Sequence, residues 1–349
     1  MNGNHDKGLL PAMLLIVVCI AGCAATNGEP VIPADTLLAY TPRDEVEAEE
    51  QEALLKISDT VTNEINVMRT EAENRVRAFR NAERVMHARD LPEEVERPTA
   101  KQVAALRAEA LAAWKEVDRA ILDHMDTFAR FLEKYPNNWY ARHRLAWFLE
   151  SVGNWPEAAR QWRRVIELAP GFPYAYNNLG SLYDHMGRGP EAAQLYRIAV
   201  ALYPDEAVFH LNLAVSYSTK RYELMQMYQW DHERIWNECI AAYRRARELE
   251  PEDVQIAYDL ASQYVMAPYF GIEETADEAL RAWDDYLDLN LSAHKRGVAC
   301  RNVGRILLTE KKEYDEAIRW LEEAVELLDD PGSKTLLERA RKARAETDL

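Results

Sequence analysis

Three prolines, Pro136, Pro170 and Pro204, follow one another at equal intervals along the chain. A constant period in the range of about 20–50 residues indicates repeated supersecondary units, none of which buries its apolar face alone. An alanine and, after it, an aromatic residue recur at the same distances before the second and third prolines: Ala158 and Ala192, Trp162 and Tyr196. Because the 349 residues include only 13 Gly and 15 Pro, these units are predicted to be helical.

The second repeat carries the most complete copy of the pattern. It reads Tyr176-x₂-Leu179-Gly180-x₂-Tyr183, then Ala192-x₃-Tyr196, Ala199 and Pro204. This pattern resembles the tetratricopeptide repeat at nearly every signature position. The physical chemistry agrees, since small residues at Gly180 and Ala192 let two antiparallel helices approach closely. Pro204 closes the repeat because proline disfavours helix at the residue before it.

Looser copies of the pattern extend the resemblance over about residues 105–349. Repeat one runs over about 139–172, and repeats three to five carry partial motifs around Cys239, Ala279 and Ala317. Residues 333–346 read as the polar helix that caps such arrays. The resemblance implies an all-α fold, a tetratricopeptide-type α-solenoid of antiparallel helix pairs in a right-handed superhelix, over residues 99–349.

The N-terminal segment is predicted to be an export signal and a tether. An apolar run from Leu9 to Ala21 is too short to span a bilayer as a helix. It ends in Ile20-Ala21-Gly22-Cys23, which resembles the lipobox of bacterial lipoproteins, whose cysteine is lipidated. We therefore expect a signal peptide over 1–22, lipidation of Cys23 and a flexible tether over 23–42. An ordinary signal peptide that contains a cysteine is the alternative.

Residues 43–98 are predicted to form a long amphipathic helix followed by a proline-containing loop. Apolar residues recur near a heptad between residues 54 and 86, with interruptions at Ser58 and Arg75. Two interpretations fit this seam. The helix either caps the solenoid or forms a homodimeric coiled coil through residues 43–90, and the two polar seam positions favour the cap.

Charge and motif content exclude several function classes. A net charge of −17 would repel a nucleic acid backbone. The histidines and cysteines show no metal-binding spacing, so neither a metal nor a cofactor is expected. No nucleophile motif or phosphate loop is present, and the chain is not expected to be an enzyme. A hydrolytic or carbohydrate-handling protein is the alternative, with His232, Glu233 and Glu238 as its acid–base candidates.

The repeat resemblance also implies where a partner binds. In this family the first helix of each pair lines a concave groove that holds an extended peptide or a partner helix. The positions that correspond to that lining are Tyr140, His143, Trp147, Asn177, Asn178, Ser181, Asp184, His185 and Asn212. Asn178 and Asn212 are equivalent positions in successive repeats, where asparagine bonds a ligand backbone in peptide-binding members.

Repeats three and four depart from the regular spacing. The segments from Tyr217 to Cys239 and from Tyr264 to Ala279 are both longer than the equivalent segment of repeat two, and the first is the longer. These two inserts, at about 218–235 and 266–275, should meet on one edge of the solenoid and project from it. Their Met and aromatic residues suit an adaptable partner surface, with a satellite core as the alternative. The expected partner-binding residues of this edge are Tyr222, Met225, Met227, Tyr228, Trp230, Tyr269 and Phe270.

The sequence thus predicts a lipid-anchored periplasmic scaffold that binds a protein or peptide partner in envelope assembly or complex recruitment. Ala24, after the lipidated cysteine, favours the outer over the inner membrane. A self-associating structural envelope protein remains a further alternative.

Overall fold

A computed structural model describes residues 40–88, 92, 94–273 and 275–347. The described residues form 14 α-helices and no strand, and successive helices pack as antiparallel pairs. This confirms the predicted all-α fold of antiparallel helix pairs. None of the helices in these ranges is long and apolar enough to cross a membrane. The predicted signal peptide and lipidation site lie outside the described residues, as does nearly all of the tether.

The chain divides into two compact units, one up to Ala175 and one from Tyr176. Unit 1 contains a hairpin of two long helices, a shorter helix pair and the first residues of a fifth helix. Their bounds are α1 Glu45–His87, α2 Ala100–Lys134, α3 Trp139–Ser151, α4 Trp155–Leu168 and α5 Pro173–His185. A capping box opens α2, where the side chains of Thr99 and Gln102 each accept a hydrogen bond from the other residue's backbone N–H.

The apolar seam of α1 is buried inside unit 1. Leu54, Ile65 and Ala72 are fully or nearly fully buried, and Ala72 packs with Ala113 and Val117 of α2. Because α1 lies against both α2 and α3, the chain itself covers the seam over 54–72. A dimer through this part of residues 43–90 would have to displace α2.

Unit 2 contains the rest of α5 and nine further α-helices. Their bounds are α6 Gly189–Leu202, α7 Ala207–Thr219, α8 Arg221–Tyr228, α9 His232–Leu249, α10 Val254–Val265, α11 Ala276–Leu287, α12 Ala293–Ile306, α13 Tyr314–Leu328 and α14 Pro331–Thr347. A 3₁₀ turn over Ala267–Phe270 follows α10, and a π turn over Leu307–Lys311 follows α12. The pairs α7–α9, α10–α11 and α12–α13 pack closely, and α14 covers α13.

Glycines allow the closest helix contacts of unit 2. A Cβ on Gly180 would stand 2.8 Å from Cε1 of Tyr196, so the aromatic ring fills the place of a side chain. Gly304 of α12 meets Leu321 of α13 in the same way, at 2.6 Å. The spacing from Gly304 to Leu321 is one residue longer than the spacing from Gly180 to Tyr196. The sequence motif therefore identified Gly180 but not Gly304.

The π turn over Leu307–Lys311 accounts for this extra residue. In α3 and α5 the helix ends when a backbone N–H bonds the carbonyl five residues earlier, as from Arg188 to Tyr183. After α12 the corresponding bond runs six residues back, from Glu313 to Leu307. Leu307 is therefore the equivalent of Tyr183.

Both cysteines of the described residues are buried and free. The Cys239 thiol lies 3.4 Å from the carbonyl oxygen of Ala214. Burial raises the pKa of the Cys300 thiol to about 12, so it stays protonated and unreactive.

Candidate partner-binding surfaces

The first insert folds back onto unit 2. Lys220 breaks the helical path between α7 and α8, and α8 then packs on α6, α7 and α9. Leu224 of α8 is completely buried in this contact. The sequence predicted that the inserts project from the edge of the solenoid. That prediction was wrong for α8, because an apolar side chain draws the insert down onto its neighbours.

Arginine–aromatic stacking holds the end of this insert in place. The rings of Tyr228 and Trp230 lie 4.7 Å apart, between centroids. The Arg197 guanidinium of α6 lies 5.1 Å from the Tyr228 ring, and that of Arg234 lies 4.8 Å from the Trp230 ring. A cation above the face of an aromatic ring is attracted to the ring, so these contacts hold the insert against α6 and α9. Tyr228, Trp230 and Met225 are consequently half-buried.

The second insert contains one deeply buried aromatic residue, Phe270. Phe270, in the 3₁₀ turn, is completely buried, and its ring centroid lies 5.3 Å from that of Trp236 in α9. The sequence had proposed Phe270 as a partner contact. That prediction was wrong, because the short turn points this ring inward.

The two inserts meet, as their positions in adjacent repeats predicted. The guanidinium carbon of Arg221, at the start of α8, lies 5.2 Å from the centroid of the Phe270 ring. Trp236 contacts the same ring from α9. Residues of both inserts and of the helix between them therefore share one small core, which is the satellite core considered as the alternative.

The inserts and the residue that precedes the 3₁₀ turn also carry four exposed large side chains, which we call the insert edge: Tyr222, Met227, Met266 and Tyr269. Tyr222 and Tyr269 are 59% and 62% exposed, and the two methionines about two-fifths. Large apolar side chains above a packed base are typical of interaction surfaces, where aromatic residues and Met are enriched. The inserts thus combine both interpretations, with a buried lower layer and an exposed upper one.

The first helices of unit 2 carry a second, polar feature. The Asn212 side-chain amide donates to Oδ1 of Asn177 at 2.9 Å, and Asn177 donates to Asn178 at 3.3 Å. Asn177 is itself buried, so among these three side chains Asn178 and Asn212 are the more accessible. This chain of amides, the amide row, links α5 to α7 and fixes the orientation of each side chain.

Three further predicted residues follow Asn178 on α5. Ser181 and Asp184 are half-buried and His185 is exposed. Asp184 accepts a hydrogen bond from the Tyr196 hydroxyl at 3.1 Å. Burial raises the pKa of Asp184, against a smaller opposite effect of that bond. The hydrogen bond from Tyr196 makes Asp184 part of the contact between α5 and α6.

The predicted binding residues of unit 1 behave differently. His143 is buried, with its ring 5.1 Å from that of Trp162 and 5.3 Å from that of Phe172. Burial, and to a lesser degree the charge of Arg144, lower its pKa to about 3, so it is neutral. His143 is thus a core residue, and its prediction as a partner contact was wrong. Tyr140 and Trp147 are half-buried.

The acid–base candidates lie on the open surface of α9. Glu233 and Glu238 line a shallow depression with Arg234, and the Glu238 carboxylate lies 4.0 Å from the Arg234 guanidinium. His232 stacks edge-on to Tyr222 at 6.4 Å. Such an exposed helical face resembles a solvated charged surface more than a catalytic cleft. In the part of the chain that the structure describes, no group of three or more acidic, His or Cys side chains could hold a metal.

Two family models, both described as tetratricopeptide repeat, match residues 143–207 and 299–335. No curated protein sequence matches this chain. Among solved structures, YrrB, "a TPR protein with an unusual peptide-binding site", is 19% identical, covering 62% of this chain and 97% of its own, with a TM-score of 0.48. MamA is 19% identical over 52% and 92% (TM-score 0.41). PilF of Pseudomonas aeruginosa is 15% identical over 68% and 93% (TM-score 0.43).

Proposed function

We propose that this chain, which contains tetratricopeptide repeats at 143–207 and 299–335, is a scaffold that binds a protein or peptide partner. The insert edge is the main contact, and the amide row contributes hydrogen bonds. We further propose that Cys23 is lipidated and holds the scaffold at the periplasmic side of the outer membrane. Its role would be envelope assembly or the recruitment of a complex.

The observation that carries this proposal is the two-layered structure of the inserts. Leu224, Ala267 and Phe270 are completely buried, whereas Tyr222 and Tyr269 are exposed beside them. A loop that only filled space would bury its large side chains or replace them with polar ones. Tyrosine offers a large contact area with only two side-chain torsions to immobilise, which lowers the entropic cost of binding.

The amide row supports the same function. A primary amide offers both a donor and an acceptor, so Asn178 and Asn212 can bond the backbone of an extended peptide. The bonds from Asn212 to Asn177 and from Asn177 to Asn178 orient the amides before any partner arrives.

Site-specific photo-crosslinking in cells tests the proposal. A photoreactive residue placed at Tyr269 or Tyr222 should give a discrete crosslinked species at stoichiometric yield. The control position is Arg319 on α13, which is also strongly exposed but lies outside the inserts. Identical crosslinking patterns at Tyr269 and Arg319, or none at either edge position, would contradict a binding role for the edge.

A further inference from the structure

A groove of about 260 Å³ opens between α11 and α13, the second helices of repeats four and five. Apolar side chains and one carboxylate line most of it: Leu280, Asp284, Leu287, Val303, Leu307 and Trp320. The first three belong to α11, the next two to α12 and the π turn, and the last to α13. Asp284 is exposed, and no residue of the insert edge lines the groove. The groove is therefore a separate surface of unit 2.

Between repeats three and four, the chain itself bridges the equivalent positions. Arg244 follows Cys239 of α9 at the distance at which Asp284 follows Ala279 of α11, so Arg244 and Asp284 are equivalent. Nη2 of Arg244 donates to the Tyr264 hydroxyl at 2.6 Å, and its guanidinium carbon lies 6.0 Å from the centroid of that ring. An arginine and an aromatic residue thus join α9 to α10.

The groove is open because both members of that pair are replaced. Leu307 is the equivalent of Tyr183, and therefore also of Tyr264, but a leucine has no hydroxyl group. Asp284 is shorter than arginine and carries the opposite charge. Its carboxylate forms no ion pair with a residue that the structure describes, so the groove combines apolar walls with an unpaired, accessible carboxylate.

The other two charged residues that line the groove already have partners. Nη2 of Arg281 lies 3.2 Å from a carboxylate oxygen of Glu278, and a carboxylate oxygen of Glu316 lies 3.5 Å from Nη2 of Arg319. Asp284 is left as the lining charge without an opposite charge among the described residues. In a chain of net charge −17, this arrangement favours a cation over an anion.

We infer that this groove binds an arginine side chain of a partner protein, whose guanidinium pairs with Asp284 while its aliphatic stem packs on Leu280, Leu287 and Trp320. An arginine stem can lie along apolar surface while its charged end stays in water. The planar guanidinium also pairs with a carboxylate through two parallel hydrogen bonds and stacks on aromatic rings. A purely apolar side chain would cover Asp284 without giving it a partner. The inference does not depend on the insert edge.

Two fluorescent peptide pools test the inference on the full chain in detergent. Each peptide has about ten residues and one Arg beside a Leu, and in the second pool citrulline, a neutral side chain of the same shape, replaces the Arg. Fluorescence anisotropy should show about tenfold tighter binding of the Arg pool. Asp284→Asn should abolish this preference. Asp285→Asn, at an exposed neighbour that does not line the groove, should leave it unchanged.

A second variant closes the groove with the chain's own side chains. Asp284→Arg with Leu307→Tyr recreates the pair formed by Arg244 and Tyr264, so it should abolish the binding of both pools. Circular dichroism and thermal melting show whether each variant is folded, and Asp284→Asn tests the inference without any change in side-chain size.

Four outcomes would overturn the inference. One is binding of neither pool, and another is equal binding of the two pools. A third is an Arg preference that survives Asp284→Asn or falls equally with Asp285→Asn, which would indicate general attraction to an acidic surface. The fourth is a full chain that sediments as a dimer without peptide and dissociates on Asp284→Asn, which would assign the groove to a second copy of the chain.

Discussion

Nε2 of His124 lies 3.2 Å from Oγ of Ser58, and this buried polar pair joins the two longest helices of the described chain. The His124 ring also packs edge-on against Phe148 of α3, at 4.6 Å. Ser58 was one of the two polar residues that interrupt the apolar seam of α1. This interruption of the seam is explained by the structure, because Ser58 provides the hydrogen-bond partner that a buried histidine needs.

Removal of that partner should destabilise unit 1. Ser58→Ala leaves a ring nitrogen of His124 buried without its bond, which should cost about 1–3 kcal/mol of unfolding free energy. Urea unfolding followed by circular dichroism measures the loss. The matched control is Thr60→Ala, an exposed residue on the same helix, for which we expect a change within about 0.5 kcal/mol. Equal effects of the two substitutions would show that the pair contributes nothing.

Acid should weaken unit 1 through His143. Its folded pKa of about 3 lies below the usual 6.5, so the unfolded state binds the proton more readily. The stabilisation is complete above the unfolded pKa and declines as pH falls from 6.5 toward 3. Because other buried groups titrate in this range, the measurement is the difference between wild type and His143→Gln across pH. A difference that is constant with pH would exclude this role.

Gly180 should tolerate no larger side chain. Gly180→Leu forces atoms into the Tyr196 ring and should cost about 1–3 kcal/mol, measured by thermal unfolding. Ala201→Leu, on the exposed face of α6, is the control and should be nearly neutral. Gly304→Leu should behave like Gly180→Leu, because its Cβ would meet Leu321 at 2.6 Å. If Gly180→Leu melted at the wild-type temperature, the close approach of α5 and α6 would be in error.

Substitutions at the consecutive residues Tyr269 and Phe270 should affect partner binding and stability separately. Phe270→Ala empties a fully buried site and should cost about 3–5 kcal/mol. Tyr269→Ser removes a mostly exposed ring and should leave the melting temperature almost unchanged while it weakens partner crosslinking. A destabilised Tyr269→Ser variant or a neutral Phe270→Ala variant would show that the exposed and buried positions have been assigned the wrong way round.

The membrane anchor can be tested independently of the fold. Cys23→Ser removes the proposed lipidation site, so the protein should leave the membrane fraction or persist as an uncleaved precursor. Partitioning into Triton X-114 and the electrophoretic mobility of the protein measure both. A variant that is still processed and still partitions into detergent would contradict lipidation at Cys23.

The repeat period was sufficient to predict the helix pairs, because it reports local packing that recurs in each repeat. It located Gly180, Ala192 and Tyr196 correctly, and it predicted that the inserts meet. It could not distinguish Tyr269 from Phe270, since both are aromatic and adjacent. Their opposite burial depends on the 3₁₀ turn, which sequence spacing does not encode.

Charged residues were equally hard to assign. Arg221 has no special sequence context, and only the structure places its guanidinium against the rings of Tyr222 and Phe270. His143 stood where the family places a ligand contact, yet Trp162 and Phe172 enclose it. A family alignment reports which helix face a residue occupies, whereas burial depends on the size of its neighbours.

The π turn before Lys312 has a consequence for how such a chain can change over generations. The extra residue is taken up between Leu307 and Glu313, so Gly304 and Leu321 keep their contact on either side of it. An insertion of a single codon at this point therefore leaves the alignment of the neighbouring helices unchanged. The two longer inserts also contain a left-handed residue at the end of a helical segment, Gln229 after α8 and Gly271 after the 3₁₀ turn. Inter-helix corners are thus the places where this chain takes up extra residues while the helix pairs on either side keep their packing.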